Sequence, residues 1–181
     1  MLQKVISGGQ TGVDQAALRV AREFGLEIGG WCPPGRVCED GTIPAEFPLR
    51  ETPAERSPDA GDVPRSLRTE WNVRDADATL VLSRLDARPE SAVDPGTAWT
   101  RRVARQYEKP LIELQIERAD AAETLIRRLA ELEAAGLEIR ILNVAGPAES
   151  AWPGVGKRVE SCLRRVLDSL AGDRRRPAPL C

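Results

Sequence analysis

Strand-like and helix-like stretches alternate along almost the whole chain, and this alternation restricts the fold more than any other feature. Residues 2–7 form a short apolar run that stops at Gly8-Gly9, after which Val13, Ala16, Ala17, Val20, Ala21 and Phe24 make one helical stripe ended by Gly25. Residues 26–29 suit a second strand, 47–52 a short edge strand, and 63–74 a helix with Pro64 in its first turn. The pattern then becomes regular. ATLVLS (78–83) predicts a buried strand, 96–107 a helix, PLIEL (110–114) a strand, and 121–134 a helix carrying Leu125, Ile126, Leu129 and Leu132. Residues 139–142 predict the last strand, and Val159, Cys162, Leu163, Val166, Leu167 and Leu170 a closing amphipathic helix.

Parallel neighbours need crossovers, and helices supply them. The expected fold is therefore α/β: a Rossmann-like three-layer sandwich with a mainly parallel central sheet flanked by helices. Six strands in the order 3-2-1-4-5-6 would bring the turns after the first and fourth strands to one crevice. The 181 residues fit one ligand-binding domain, residues 1–171, with GDRRRPAPLC (172–181) as a disordered tail.

The chain has no histidine, which removes imidazole acid–base catalysis, Ser-His-Asp and Cys-His arrangements, and zinc sites that need imidazole. With 26 basic and 28 acidic residues the net charge of -2 gives no global field for nucleic acid or a membrane surface. Four cysteines, at 32, 38, 162 and 181, lack both CxxC pairing and a dense secreted spacing. No metal site is expected. The start MLQKVISGGQ is too short in apolar residues for a signal or spanning segment, so a soluble, cytoplasmic protein is the expectation.

Ser7-Gly8-Gly9-Gln10-Thr11-Gly12-Val13-Asp14 lies where the first strand ends and the first helix begins. Unpaired amides at a helix start carry positive partial charge, and glycines let a ligand approach them, so a phosphate is the natural guest. The segment is neither a Walker A loop nor GxGxxG. The alternative is a tight turn in which Thr11 caps the helix and Asp14 complements its dipole. Asp94-Pro95-Gly96-Thr97-Ala98-Trp99-Thr100 repeats the arrangement after the ATLVLS strand. Seven of the fourteen prolines fall between Pro33 and Pro64, in a long irregular stretch that reads as an ordered lid. There Arg36 would clamp an anion and Trp31 cover a flat ring, unless Arg36 pairs with Glu39 or Asp40. Arg68 and Asn72 share a helical face that could look into the crevice, and Asn143, following the last strand, offers a donor and an acceptor. Cys32 and Cys38 suit small buried thiols. Trp71, Trp99 and Trp152 would serve subunit contacts if exposed.

In SGGQTGVDQAAL, GGWCPPGRVCEDG, FPLRET, RTEWNVRDADATLVL, the GT-x-x-T at 96–100, KPLI and LNVAGP, the chain resembles the molybdenum cofactor carrier protein family. That family is a Rossmann-like branch related to lysine-decarboxylase-like phosphoribohydrolases. The resemblance implies binding of molybdenum cofactor, a phosphate-bearing molybdopterin, for carriage or storage. Partners would be further copies of the chain, as a dimer or tetramer, and molybdoenzyme recipients. It places Gly8, Gly9, Gln10, Thr11, Gly12 and Asp14 at the ligand, with Arg36, Gly96, Thr97 and Thr100 around the same pocket. Arg68 and Asn143 complete the candidate set on the reading of the residues themselves. The family's second turn is Gly-Gly-Thr, whereas this chain has Pro95-Gly96-Thr97. The phosphoribohydrolases have a catalytic Glu in PGGxGTxxE where this chain has Thr100, which argues against nucleosidase chemistry. A nucleotide as ligand, a nucleotide-processing enzyme using Asp14, and a nucleotide-ligand sensor are the alternatives.

Overall fold

The computed structural model describes residues 1–85 and 95–173, with Asp173 described by its backbone alone. Five parallel strands form the central sheet: β1 (Lys4–Ile6), β2 (Glu27–Gly29), β7 (Ala78–Ser83), β8 (Leu111–Gln115) and β9 (Ile141–Ala145). Four two-residue strands lie between β2 and β7: β3 (Trp31–Cys32), β4 (Val37–Cys38), β5 (Gly41–Thr42) and β6 (Arg50–Glu51). The helices are α1 (Val13–Glu23), α2 (Ser66–Asp75), α3 (Pro95–Gln106), α4 (Ala121–Ala134) and α5 (Val155–Asp173). This is the expected sandwich.

The order of the sheet corrects the sequence reading. The strands stand β2-β1-β9-β7-β8, so the last strand is inserted at the centre, between β1 and β7, instead of closing an edge. Read cyclically from β9, the order becomes 3-2-1-4-5, the doubly wound arrangement with its start displaced along the chain. The expected third strand survives as β6. It pairs in parallel with β3, which follows β2 after a break at Gly30. A Cβ at Gly30 would lie 2.3 Å from the Ser7 carbonyl oxygen, so the break needs a residue without a side chain.

Side chains alternate across each strand, and this sorts the core. Leu80 and Leu82 of β7 and Leu142 and Val144 of β9 pack with α1, α4 and α5 in the larger cluster. On the other face, Val73 of α2 packs with Trp99, Val103 and Ala104 of α3. A third cluster, Leu18, Cys32, Cys38, Ile43, Phe47 and Leu49, anchors the long proline-containing stretch.

Three further expectations change. Trp99 and Trp152 are buried in the core, while Trp71 is half-buried. Gly172 and Asp173, assigned to the tail, extend α5, and residues 174–181, with Cys181, lie outside the described residues. The last strand runs to Ala145, so Asn143 is within it. Among the described residues, no helix is long and apolar enough to cross a membrane.

Candidate functional site

The expected phosphate turn, Ser7 to Gly12, is closed by the protein itself. The Gln10 amide donates to Asp14 Oδ2 at 3.1 Å, and the Thr11 amide donates to Gln10 Oε1 at 3.1 Å. The Val13 amide donates to the Pro147 carbonyl at 3.3 Å. Gln10 Oε1 also accepts from the Glu39 amide at 2.9 Å, while the Thr11 hydroxyl donates to the Glu39 carboxylate and accepts from the Glu149 amide at 3.3 Å. Glu39 accepts in addition from the amide and hydroxyl of Ser150. The turn, the β4–β5 hairpin and the β9–α5 loop are thus tied at one carboxylate.

The glycines serve packing against this chain. Gly12 has φ +72°, and a Cβ there would lie 2.7 Å from the Glu149 nitrogen and 2.8 Å from the Pro147 oxygen. At Gly9, also in the left-handed region, a Cβ would lie 2.4 Å from Leu49 Cδ1. At Gly8 it would lie 1.7 Å from Arg68 Nη1, so Gly8 leaves the space that lets a guanidinium reach Asp14. The start of α5 is occupied in the same way: Glu149 accepts from the amides of Gly154 and Gly156 at 2.5 and 3.1 Å. At both helix starts some of the amides are therefore engaged by acceptors of the chain itself.

The third helix start faces a recess. Gly96, Thr97 and Thr100 of α3 border a cavity of about 40 Å³ together with Asp14, Arg68, Thr69, Asn72, Val81, Asn143, Ala145 and Gly146. It lies at the carboxyl ends of β9 and β7, whose following helices pack on opposite faces of the sheet. That is the switch point at which doubly wound folds open a crevice. The cyclic order moves this point from between the first and fourth strands of the sequence reading to between β9 and β7. Asn143, on the α2–α3 face of β9, donates from Nδ2 to Thr79 Oγ1 at 3.3 Å. Asn72 is engaged at both ends of its amide, accepting from Trp31 N at 2.8 Å and donating to Trp31 O at 2.9 Å. Thr100, at the position of the phosphoribohydrolase Glu, donates its hydroxyl to Gly96 O at 2.9 Å.

Arg68 and Asp14 dominate the recess. Arg68 Nη1 donates to Asp14 Oδ2 at 3.0 Å, with the side chains 19% and 2% exposed. Burial pushes the Asp14 carboxyl above its ordinary value, opposed by the Arg68 guanidinium and the Gln10 amide. Among the described residues, Arg68 Nε is buried with no hydrogen-bond partner. A buried donor left unpaired costs about 1–3 kcal/mol. Such an atom at a crevice marks a place for an acceptor.

Six of the twelve candidate residues thus line one recess: Asp14, Arg68, Gly96, Thr97, Thr100 and Asn143. Gly8, Gly9, Gln10, Thr11 and Gly12 lie behind it as the packed turn. Arg36 belongs elsewhere. Its guanidinium donates to the carbonyls of Leu49, Pro44 and Phe47 at 3.0, 3.1 and 2.9 Å, and among the described residues it pairs with neither Glu39 nor Asp40 and does not line the recess. Arg36→Met is expected to cost about 2 kcal/mol in urea unfolding through those charged donors, while leaving ligand retention unchanged. Trp31 is likewise committed: Nε1 donates to Asp75 Oδ2 at 2.7 Å, Trp71 meets it edge-on at 4.6 Å, and Arg50 stacks on its ring. Asp94 lies outside the described residues. Glu39 and Glu149, which close the turn and cap α5, had no local sequence signal, because their partners lie far along the chain.

Cys32 and Cys38 are free and buried in the cluster beneath the long stretch, and burial raises the Cys32 thiol. Among the described residues, no group of three or more Cys, Asp or Glu side chains is placed to hold a metal ion. A larger groove of about 460 Å³ lies at the amino-terminal edge of the sheet. Its walls are mainly apolar, including Leu2, Leu129, Leu137 and Leu167, and it holds none of the residues gathered at the switch point.

Comparison with protein families matches residues 5–167 to the circularly permuted YpsA SLOG family. The chain belongs to that family. The displaced β9 is the structural counterpart of the permutation in the family's description. A crystal structure of a protein from Syntrophus aciditrophicus SB, named putative molybdenum carrier protein, is 33% identical, with a TM-score of 0.76. The match covers 92% of this chain and 95% of that one. No curated protein matches this SLOG chain. Together the family and this neighbour bear out the resemblance read from the sequence motifs to a molybdenum carrier-like group.

Proposed function

We propose that this SLOG-family protein binds molybdenum cofactor and carries or stores it, with the anionic end of the ligand at the β9–β7 crevice. The observation that carries the reading is Arg68: a guanidinium held by Asp14 at the switch point, with a buried donor that has no hydrogen-bond partner among the described residues. The name of the Syntrophus aciditrophicus protein supports molybdenum as the cargo. The recess, with Arg68 and the first turn of α3 on its walls, suits the phosphate end of the ligand.

The protein's part is to bind and orient the anion, and Asp14 keeps the guanidinium in place. Retention of purified molybdenum cofactor, and its lifetime against oxidation, test the reading directly. The wild-type chain is expected to retain cofactor and extend its lifetime, and Arg68→Met to lose at least about tenfold in retention, the value of one charge-assisted contact. Equal retention by both proteins, or none by either, counts against it.

A further inference from the structure

The groove at the opposite, amino-terminal edge of the sheet has no part in ligand binding as read above, and its volume of about 460 Å³ holds several side chains. Leu129, Ile139 and Leu167 are its buried floor, while Leu2 and Leu170 are half-buried and Leu137 is 43% exposed. Water against such a surface is unfavourable, and a contiguous apolar face of this kind marks a contact. Two carboxylates line the groove, Glu133 and Glu138. Each already meets one cation, the Met1 ammonium at 3.5 Å and Arg140 at 2.7 Å, yet both are more than half exposed and a carboxylate accepts several donors. The occupant therefore has an apolar part and a cationic part. The chain itself supplies one at this place. The loop after β9 starts α5 at the carboxyl edge, so the helix runs back and ends at Asp173 beside the groove, three residues after Leu170.

We propose that the segment following α5, Arg174-Arg175-Arg176-Pro177-Ala178-Pro179-Leu180-Cys181, docks in this groove, with Leu180 on the leucine floor and the arginines at Glu133 and Glu138. The segment itself lies outside the described residues. Three features of its sequence fit the site. Eight residues reach at most about 26–29 Å, enough to leave Asp173 and cross the groove. Pro177 and Pro179 have no amide N–H, which suits walls made mainly of side chains that offer few acceptors, and their fixed φ lowers the entropy lost on docking. By composition the segment has too little apolar surface to order alone, and the groove supplies the missing burial. Attachment decides between this occupant and a second copy of the chain. A tethered segment is present at an effective concentration on the order of millimolar, which a free copy does not match.

Cys181 makes the proposal testable, because Cys32, Cys38 and Cys162 are buried. In the full-length variant Leu137→Cys, oxidised glutathione is expected to drive a disulfide between residues 137 and 181 of one chain, found by peptide mass mapping and independent of protein concentration. The control is Val37→Cys, equally exposed but on the β4–β5 hairpin at the carboxyl edge of the sheet. Bridging of Leu137→Cys should be about tenfold faster or more. Equal rates in the two variants overturn the proposal, and so does bridging of Leu137→Cys only between chains, which gives the groove to a second copy. A second measurement leaves the groove unaltered: hydrogen exchange across residues 129–139 should quicken about fivefold in Leu180→Asp, which puts a charge on the leucine floor. Unchanged exchange there overturns the proposal. Neither outcome bears on cofactor retention at the β9–β7 crevice.

Discussion

Arg68→Met should be the most damaging single substitution at the site, costing about 3 kcal/mol of stability in urea unfolding as well as the ligand. Removing one partner of a buried ion pair costs ~3–5 kcal/mol, and Arg68 retains some exposure, which places it at the low end. The loss comes from Asp14, left buried beside the Gln10 amide without its counter-charge. Its pH dependence identifies the cause. A carboxyl whose folded-state pKa is raised binds more protons in the folded state than in the unfolded one. Stability therefore falls as pH rises from the ordinary 3.8 through the raised value, and is restored on acidification below that window. Without Arg68 the opposing contribution disappears, Asp14 moves higher still, and the window widens upward. The deficit of Arg68→Met should accordingly shrink as pH falls through that window. The double variant Asp14→Asn, Arg68→Met should regain part of the stability and lose this slope. A deficit independent of pH would show that lost packing of the arginine stem, not the stranded carboxyl, is responsible.

The second large effect is expected at Gly12, and Gly25 provides its control. Both have φ near +72°, yet a Cβ at Gly25 meets nothing within 4 Å, whereas one at Gly12 strikes the backbone of residues 147–149. Gly25→Ala should cost about 1 kcal/mol, the strain of the left-handed conformation alone. For Gly12→Ala a figure on the order of 3–4 kcal/mol is expected, because neither the Pro147 carbonyl nor the Glu149 amide can rotate away as a side-chain tip would. Thermal and urea unfolding of the two variants side by side measure the difference. Equal losses would mean that the β9–α5 loop yields freely, and the closed turn would then be no barrier to a ligand.

Much of the architecture was legible in the chain. The stripe from Val13 to Ala21, the apolar run of β7 and the spacing of Leu125 and Leu129 each report a local period, and period depends on nearby residues alone. Both glycine turns were legible too, since Gly12 and Gly96 sit at strand-to-helix joins whatever lies opposite them. What each turn does was not. SGGQTG reads as an open anion cradle until Pro147 and Glu149, more than a hundred residues away, come down on it. Arg36 and Arg68 are chemically equivalent in the sequence. One is spent on three carbonyls of its own loop, and the other reaches the crevice because Gly8 leaves room for it.

The alternation of periods, the glycines at the joins and the absence of histidine therefore settled the layered fold and the kind of chemistry open to it, since all of these are properties of short segments or of composition. Tertiary structure alone decided that β9 enters the middle of the sheet, that the switch point consequently lies between β9 and β7, and that Asp14 and Arg68 meet there. The reason is physical: strand neighbours and ion pairs are chosen by burial of whole faces against one another, and no local segment carries that information.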